Sequence, residues 1–505
     1  MRKLAVLGKY VQLRTRFPEF RLRHPVRSLG LMLGTLEFIG ATLFALAVLH
    51  TFSTRYFEHL ARTRTAHAGV WHLLGEVETV FGLWAFALVL FMAFAYGWGM
   101  STQYLDSLRF TEPMFVFVIM VIAASRPVMQ LAGDAVQAVG KVLPTTPAVA
   151  GYFLSLSLVP LLGSLITEPA AMTLAALMLR DRVFVAGVSN RLKYATLGVL
   201  FVNVSVGGTL THFAAPPVLM VAGKWEWTTA FMLSMFGAKA ILAVLANAVG
   251  VTLLFRRELL ARARDRSTDA RPRVPPLFIL LNLVLLAAVV FSNHHPETFM
   301  GLFLLFLGLS EAYRRHHDRL ILREGLMVAF FLAGLVVLGG QQRWWLQDLL
   351  SRLDETTLFY GAAVLTAITD NAALTYLGSL VEGVSEDYKY SLVAGAVAGG
   401  GLTVIANAPN PAGFAILKDH FEDQSISPLG LFAAALLPTL VVIACFRGIR
   451  GQVAEVFDWN LWAQWASQLD RSFIFLLVLP FVVALVGLWA EYSQRQRNDD
   501  SGSSR

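Results

Sequence analysis

Ile166-Thr167-Glu168-Pro169-Ala170-Ala171-Met172-Thr173 has a counterpart in the second half of the chain, Ile368-Thr369-Asp370-Asn371-Ala372-Ala373-Leu374-Thr375. Five of the eight positions are identical, and two more are conservative (Glu/Asp and Met/Leu). A second pair follows in the same order. Gly207-Gly208-Thr209-Leu210-Thr211 matches Gly399-Gly400-Gly401-Leu402-Thr403, and the two run on into Pro216-Pro217 and into Pro409-Asn410-Pro411. Two matches in one order indicate an internal duplication.

Each copy lies in strongly apolar surroundings. The chain has 505 residues, of which 56% are hydrophobic and 15% charged, whereas a soluble domain carries about 25% charged residues. Apolar stretches near the ~20 residues that cross a bilayer recur along it. They lie near 28–50, 79–98, 230–255, 276–292, 324–340 and 470–490, among roughly eleven or twelve segments in all. This is an all-α polytopic membrane protein by composition. Parity in the first half stays open between 111–125 and 126–147. Cys445 is the one cysteine, so neither an internal disulfide nor a cysteine-based metal site can form.

The basic residues are unevenly placed. They gather between Arg2 and Arg27, in short loops, and in Arg256–Arg273, which holds seven arginines. Such clusters mark cytoplasmic loops facing an anionic leaflet, and no nucleic-acid motif accompanies them. The expected order is a basic cytoplasmic N-terminal segment (1–27), a first transmembrane half (28–255), a cytoplasmic linker (256–275), a second half (276–450), and a C-terminal helix with a polar tail (451–505). Met1 to Pro25 has no apolar run of signal-peptide length, so the first span is expected to act as the insertion signal, and the expected location is a bacterial-type inner (plasma) membrane, multi-pass. Arg180, Arg182, Arg191 and Lys193 flank the first motif on the cytoplasmic side. Three spans separate the linker from the second motif, so the motifs enter from opposite faces, as in an inverted-topology repeat.

Glu168 and Asp370 are ionisable groups at bilayer depth, which cost ~2.5 kcal/mol or more and mark function by default. Pro169 breaks its helix, and broken helices survive in a membrane only inside protein or along a cavity. Freed carbonyls, with Thr167, Thr173, Thr369, Thr375 and Asn371, offer oxygen to a hard cation. The bland reading is a helix cap or a partner for a buried arginine. Gly207, Gly208, Gly400, Thr211, Thr403, Asn407 and Asn410 form a second, unwound element, read alternatively as close helix packing. His212, opposite Val404 in the repeat, titrates near neutrality when unperturbed and is otherwise a satisfied buried histidine. Glu37, Glu76, Glu78 and Lys239 are weaker leads. Trp225, Trp227, Trp344 and Trp345 suit interfacial belts. Walker A, H-E-x-x-H and G-x-S-x-G sequences are absent, so neither direct ATP coupling nor an enzyme is expected.

The paired TEP and TDN segments, each followed by a Gly-Gly-x-x-Thr stretch running into Pro and Asn, resemble the ion transporter superfamily over roughly 110–450. That group includes sodium/proton antiporters, arsenite permeases and divalent-anion/sodium symporters, and the chain looks most like a bacterial sodium/proton antiporter family. The resemblance implies two inverted repeats, each with a re-entrant hairpin and a broken transmembrane helix, plus scaffold helices, usually in a homodimer. It puts Thr167, Glu168 and Pro169 at one hairpin tip and Thr369, Asp370 and Asn371 at the other. The broken-helix loops map to Gly207–Pro217 and Gly399–Asn410. Dicarboxylate symporters of the superfamily carry neutral tips. Carboxylates here imply a secondary cation transporter with no cofactor, exchanging sodium for protons across the lipid bilayer. The alternative is a sodium-coupled dicarboxylate or oxyanion symporter. Asp370 is the first choice for the shared ligand because Asn371 and Asn410 lie in its repeat, and Glu168 is the second.

Overall fold

A computed structural model describes residues 26–64, 67–262, 272–421 and 424–448. Most of the N-terminal basic segment, the core of the Arg-rich linker and the expected C-terminal helix and tail at 451–505 lie outside the described residues. Every regular element described is helical. In chain order these are α1 (Val26–Thr63), α2 (Ala68–Gly75), α3 (Val77–Tyr96), α4 (Trp98–Asp106), α5 (Thr111–Ala123), α6 (Arg126–Gly140), α7 (Pro147–Leu156), α8 (Leu158–Ile166), α9 (Glu168–Arg182), α10 (Asn190–Gly207) and α11 (Pro216–Trp225). Then come α12 (Thr229–Leu254), α13 (Arg256–Arg262), α14 (Pro276–Phe291), α15 (Pro296–Ala312), α16 (Leu322–Gly339), α17 (Arg343–Leu350), α18 (Glu355–Thr366), α19 (Asn371–Ser379), α20 (Glu386–Gly399), α21 (Asn410–Leu417) and α22 (Pro428–Gly448).

Five stretches are long and apolar enough to cross a membrane unbroken: Gly34–Thr54, Val77–Tyr96, Thr229–Leu254, Leu322–Gly339 and Pro428–Gly448. The protein is therefore an all-α, multi-pass membrane protein. Fewer unbroken spans appear than the apolar stretches suggest, because several of those stretches break near their middle. The α7–α8 pair bends by 46° and the α5–α6 pair by 64°. The second bend falls where the parity was open. Past it Arg126 donates to the Pro272 carbonyl and pairs with Asp318, while Gln130 bonds Val274. The start of α6 is thus tied to the end of the linker.

Helices α3 and α16 pack closely, with α1 and α5 beside them and α14 and α15 against α5. Glu76 pairs with Arg323 at one end of this group. At the other, Gln342 donates to the Gly40 carbonyl at 3.2 Å and the Tyr104 hydroxyl to the Val337 carbonyl.

The rest of the bundle is cross-linked between halves. α9 packs on α21, α11 on α19, α10 on α22, and α12 on α22. The hairpin α8–α9 opens toward the Arg323 end, where Arg262 donates to the Gly187 carbonyl and Lys193 to that of His420. The hairpin α18–α19 opens at the Gly340 end, where Arg447 meets Thr356 and Lys224 meets Ser379.

Candidate functional site

Thr167 is the whole of the break between α8 and α9. Its φ of 72° and ψ of 151° put a β-branched residue in a region that is essentially glycine's, at a cost of about 1–3 kcal/mol. Thr167 is buried, and its Oγ1 has no partner among the described residues. Glu168 then opens α9 with Pro169 behind it, a place where proline's missing N–H costs nothing. The helix N-terminus favours a carboxylate at this position.

Glu168 is 0% exposed. Its Oε2 accepts from Asn407 Nδ2 at 2.8 Å, across the two halves. Its Oε1 has no partner. A Cβ on Gly208 would fall 2.6 Å from Glu168 Cγ, so the carboxyl lies against the backbone where α10 unwinds. Glycine is required there by close approach.

The other tip is built differently. Four residues, Ala367–Asp370, separate α18 from α19. Asp370 caps α19, accepting from the Ala373 amide at 3.0 Å, and is half-buried. Asn371 is 0% exposed, and its amide group has no partner at either atom. Its backbone N–H donates to Ala406 at 3.0 Å, and a Cβ on Gly400 would lie 2.9 Å from its Nδ2. Gly208 and Gly400 match in sequence, yet they face Glu168 and Asn371. The longer turn at the second tip shifts the register by one residue, so the residue in Glu168's place is Asn371 and not its sequence counterpart Asp370. Asp370 remains within electrostatic range of Glu168.

The remaining polar residues divide by what their oxygens do. Thr369 bonds back to Leu365, Thr173 to Pro169, Thr375 to Ala372, Thr403 to Ala367, and Thr211 to Ser164. The first three bond back within their own helical turns, and Thr403 and Thr211 hold carbonyls of the neighbouring hairpin segments. Asn410 Nδ2 holds the unwound stretch by donating to Gly400 and Thr403 at 2.8 and 2.9 Å. The Oδ1 atoms of Asn410 and Asn407 have no partner. Gly207 packs on the Pro160 carbonyl. His212 lies further along, with Nδ1 on Thr229 Oγ1 at 2.8 Å and Nε2 on Asn293 at 3.0 Å.

Sequence reasoning missed Ser164, Ser205 and Thr366. Ser164 donates to the Gly207 carbonyl at 2.6 Å and accepts from the Leu210 amide. Ser205 donates to Val397 at 2.9 Å and touches the Gly400 position. Thr366 is buried beside Gly399, its hydroxyl unpartnered. Each is a hydroxyl residue in an apolar run within a few residues of a motif, which was the available signal.

A buried polar atom left unpaired costs about 1–3 kcal/mol, and here several converge. Thr167 Oγ1, Glu168 Oε1 and the side-chain oxygens of Asn371, Asn407 and Asn410 come from three segments joined by the contacts above. One carboxylate among neutral oxygens is a hard-cation ligand set. Among the described residues no group of three or more His, Cys, Asp or Glu side chains is placed to hold a metal ion. An ionised carboxylate buried without a counter-charge is penalised by several kcal/mol, so Glu168 calls for a proton or a cation.

Comparison with curated proteins returns no match. The profile of a family described as "Putative Na+/H+ antiporter" matches residues 35–449. That span takes in both hairpins, both unwound stretches and the helices that carry them, and the chain belongs to this family.

Proposed function

We propose that this protein is a secondary active cation transporter that exchanges sodium for protons, with Glu168 as the ligand the two ions share. One observation carries the reading: a fully buried carboxylate with one free oxygen, set among unpartnered neutral oxygens on two hairpin tips and the second unwound stretch. Proton and sodium compete for Glu168. Binding sodium favours the ionised carboxylate and expels the proton, so competition alone couples opposed fluxes.

Asn407 and Asn371 would bind from the second half, and Thr167 from the tip beside Glu168. Asp370 contributes charge nearby while its Oδ1 caps α19. The hairpins opening at opposite bundle ends, the reciprocal packing of α9 on α21 and α11 on α19, and the repeated motifs support an inverted-topology repeat. On this reading the hairpins and broken helices move against the group around α3 and α16. The Arg314–Arg323 loop faces the cytoplasm of a bacterial inner membrane, and the protein works as a homodimer.

The test is a pH-gradient dye assay on purified protein in liposomes, with sodium, lithium, potassium and calcium offered in turn. Sodium-driven proton release is expected. Sodium-dependent accumulation of succinate or citrate, without proton movement, would establish the anion-symporter alternative instead.

A further inference from the structure

A cavity of about 30 Å³ lies near the Gly340 end, away from Glu168. Its walls come from both parts of the bundle. Glu112 and Thr111 begin α5, Asn293 and His294 join α14 to α15, and His212, Ala222 and Gly223 belong to the unwound stretch and α11. A Cβ on Gly223 would lie 3.1 Å from Glu112 Oε1 and 3.9 Å from His294 Cε1. Helix α11 therefore passes directly over the carboxylate, and glycine leaves the space between them open.

The volume admits one or two water-sized bodies. A dicarboxylate is too large, and the carboxylate would repel it. Arg109 and His294 are the charged or titratable neighbours of Glu112. His212 is held at both ring nitrogens, by Thr229 and Asn293, so it serves as a fixed wall.

A short stretch of chain joins the cavity wall to the site. His212 and Gly208 are four residues apart, at most ~14 Å of extended chain, and Gly208 lies against Glu168. Hydroxyls line the interval: Thr211 Oγ1 donates to the Ser164 carbonyl at 2.7 Å, and Ser164 Oγ to Gly207 at 2.6 Å.

We propose that this cavity is a second cation-binding station, an outer port where Glu112 holds a small monovalent cation before it passes along residues 208–212 to Glu168. The proposal rests on the cation-transport reading above and adds where the ion is first bound. A carboxylate at a polar mouth concentrates cations locally, so Glu112 governs apparent affinity more than maximal rate.

Two experiments test it. In a Cys445→Ala background, His294→Cys, at the exposed rim of the cavity, should react with a membrane-impermeant thiol reagent applied from the Gly340 side. Sodium should slow the reaction, and Glu112→Gln should abolish that protection. In liposomes, Glu112→Gln should raise the half-saturating sodium concentration about tenfold, the loss of one charge interaction. Glu112→Asp should stay near the unmodified value. A cysteine that is unreactive, or reactive but indifferent to sodium, overturns the port, as does an unchanged half-saturating concentration in Glu112→Gln. Sodium protection without any proton movement in the unmodified protein would leave the port standing and remove sodium/proton exchange.

Discussion

Asn407 Nδ2 donates to Glu168 Oε2 at 2.8 Å, joining the unwound stretch of the second half to the hairpin tip of the first. Glu168→Gln keeps the shape of the side chain and removes its charge. Cation-dependent proton movement should vanish, while yield and thermal stability in detergent stay near those of the unmodified protein. Asn407→Ala leaves the carboxylate without its donor, a loss of about 1–3 kcal/mol. It should weaken apparent sodium affinity by about tenfold or more, as read from half-saturating sodium in the dye assay.

Gly208 gives a steric test of the same carboxyl. A methyl group there would collide with Glu168, and the side chain must swing out of its slot. Gly208→Ala should reduce exchange at least tenfold, by the cost of one misplaced buried charge contact. Nothing lies within 4 Å of a Cβ on Gly133 or Gly361, so Gly133→Ala and Gly361→Ala should leave rates unchanged. Equal activity in Gly208→Ala and these controls would reject the slot.

Thr167 separates strain from ligation. Thr167→Gly relieves a left-handed backbone conformation worth about 1–3 kcal/mol, so its melting temperature in detergent should rise. Thr167→Val keeps the strain and deletes only the buried, unpaired hydroxyl, so its melting temperature should rise less than that of Thr167→Gly while half-saturating sodium increases. Equal melting temperatures in the two variants would show that the tip stores no strain.

The sequence carried the membrane class, the two hairpins and the two unwound stretches, because breaks by Pro169 and by Gly207-Gly208 or Gly399–Gly401 are local chemistry. The expected ranking of the carboxylates did not follow from it. ITEPAAMT and ITDNAALT align without a gap, yet the turn at Ala367–Asp370 is longer than the break at Thr167. Turn length is decided by what packs around it, so alignment alone matched Glu168 to Asp370 where space matches it to Asn371. The threonine hydroxyls were also indistinguishable in sequence. Only tertiary contacts separate Thr167 from Thr211 and Thr403, which bond carbonyls of another segment.

The basic loop gives a pH prediction outside the transport site. His317 sits edge-on to Phe306 and His316 stacks on Phe278. Burial holds both imidazoles below their ordinary value, with His316 and Arg126 adding to the effect on His317, Asp318 opposing it, and Arg315 and Arg126 acting on His316. Depressed values in the folded state mean that the neutral rings stabilise the loop above about pH 6.5. That contribution is lost as pH falls below this value, since the unfolded loop takes up protons first. Amide protection factors across 313–321, corrected for the slower intrinsic exchange in acid, should therefore fall on acidification. His316→Gln with His317→Gln should flatten the dependence.

Asp370 and Glu168 can be told apart by pH. If protons and sodium share Glu168, half-saturating sodium should fall as pH rises in the unmodified protein, because fewer protons compete. Asp370 caps α19 through the Ala373 amide, and asparagine is as good a cap as aspartate, so Asp370→Asn removes charge without unravelling the helix. Asp370→Ala removes both and should cost about 1 kcal/mol of stability in addition. With its neighbour's charge gone, Asp370→Asn should bind sodium more weakly, since a negative charge within range of Glu168 attracts the cation. The slope of half-saturating sodium against pH should nonetheless survive in Asp370→Asn, because Glu168 still trades one ion for the other. The reverse pattern, with slope and exchange lost in Asp370→Asn and kept in Glu168→Gln, would make Asp370 the shared ligand. It would mean that sequence alignment ranked the two carboxylates better than burial does.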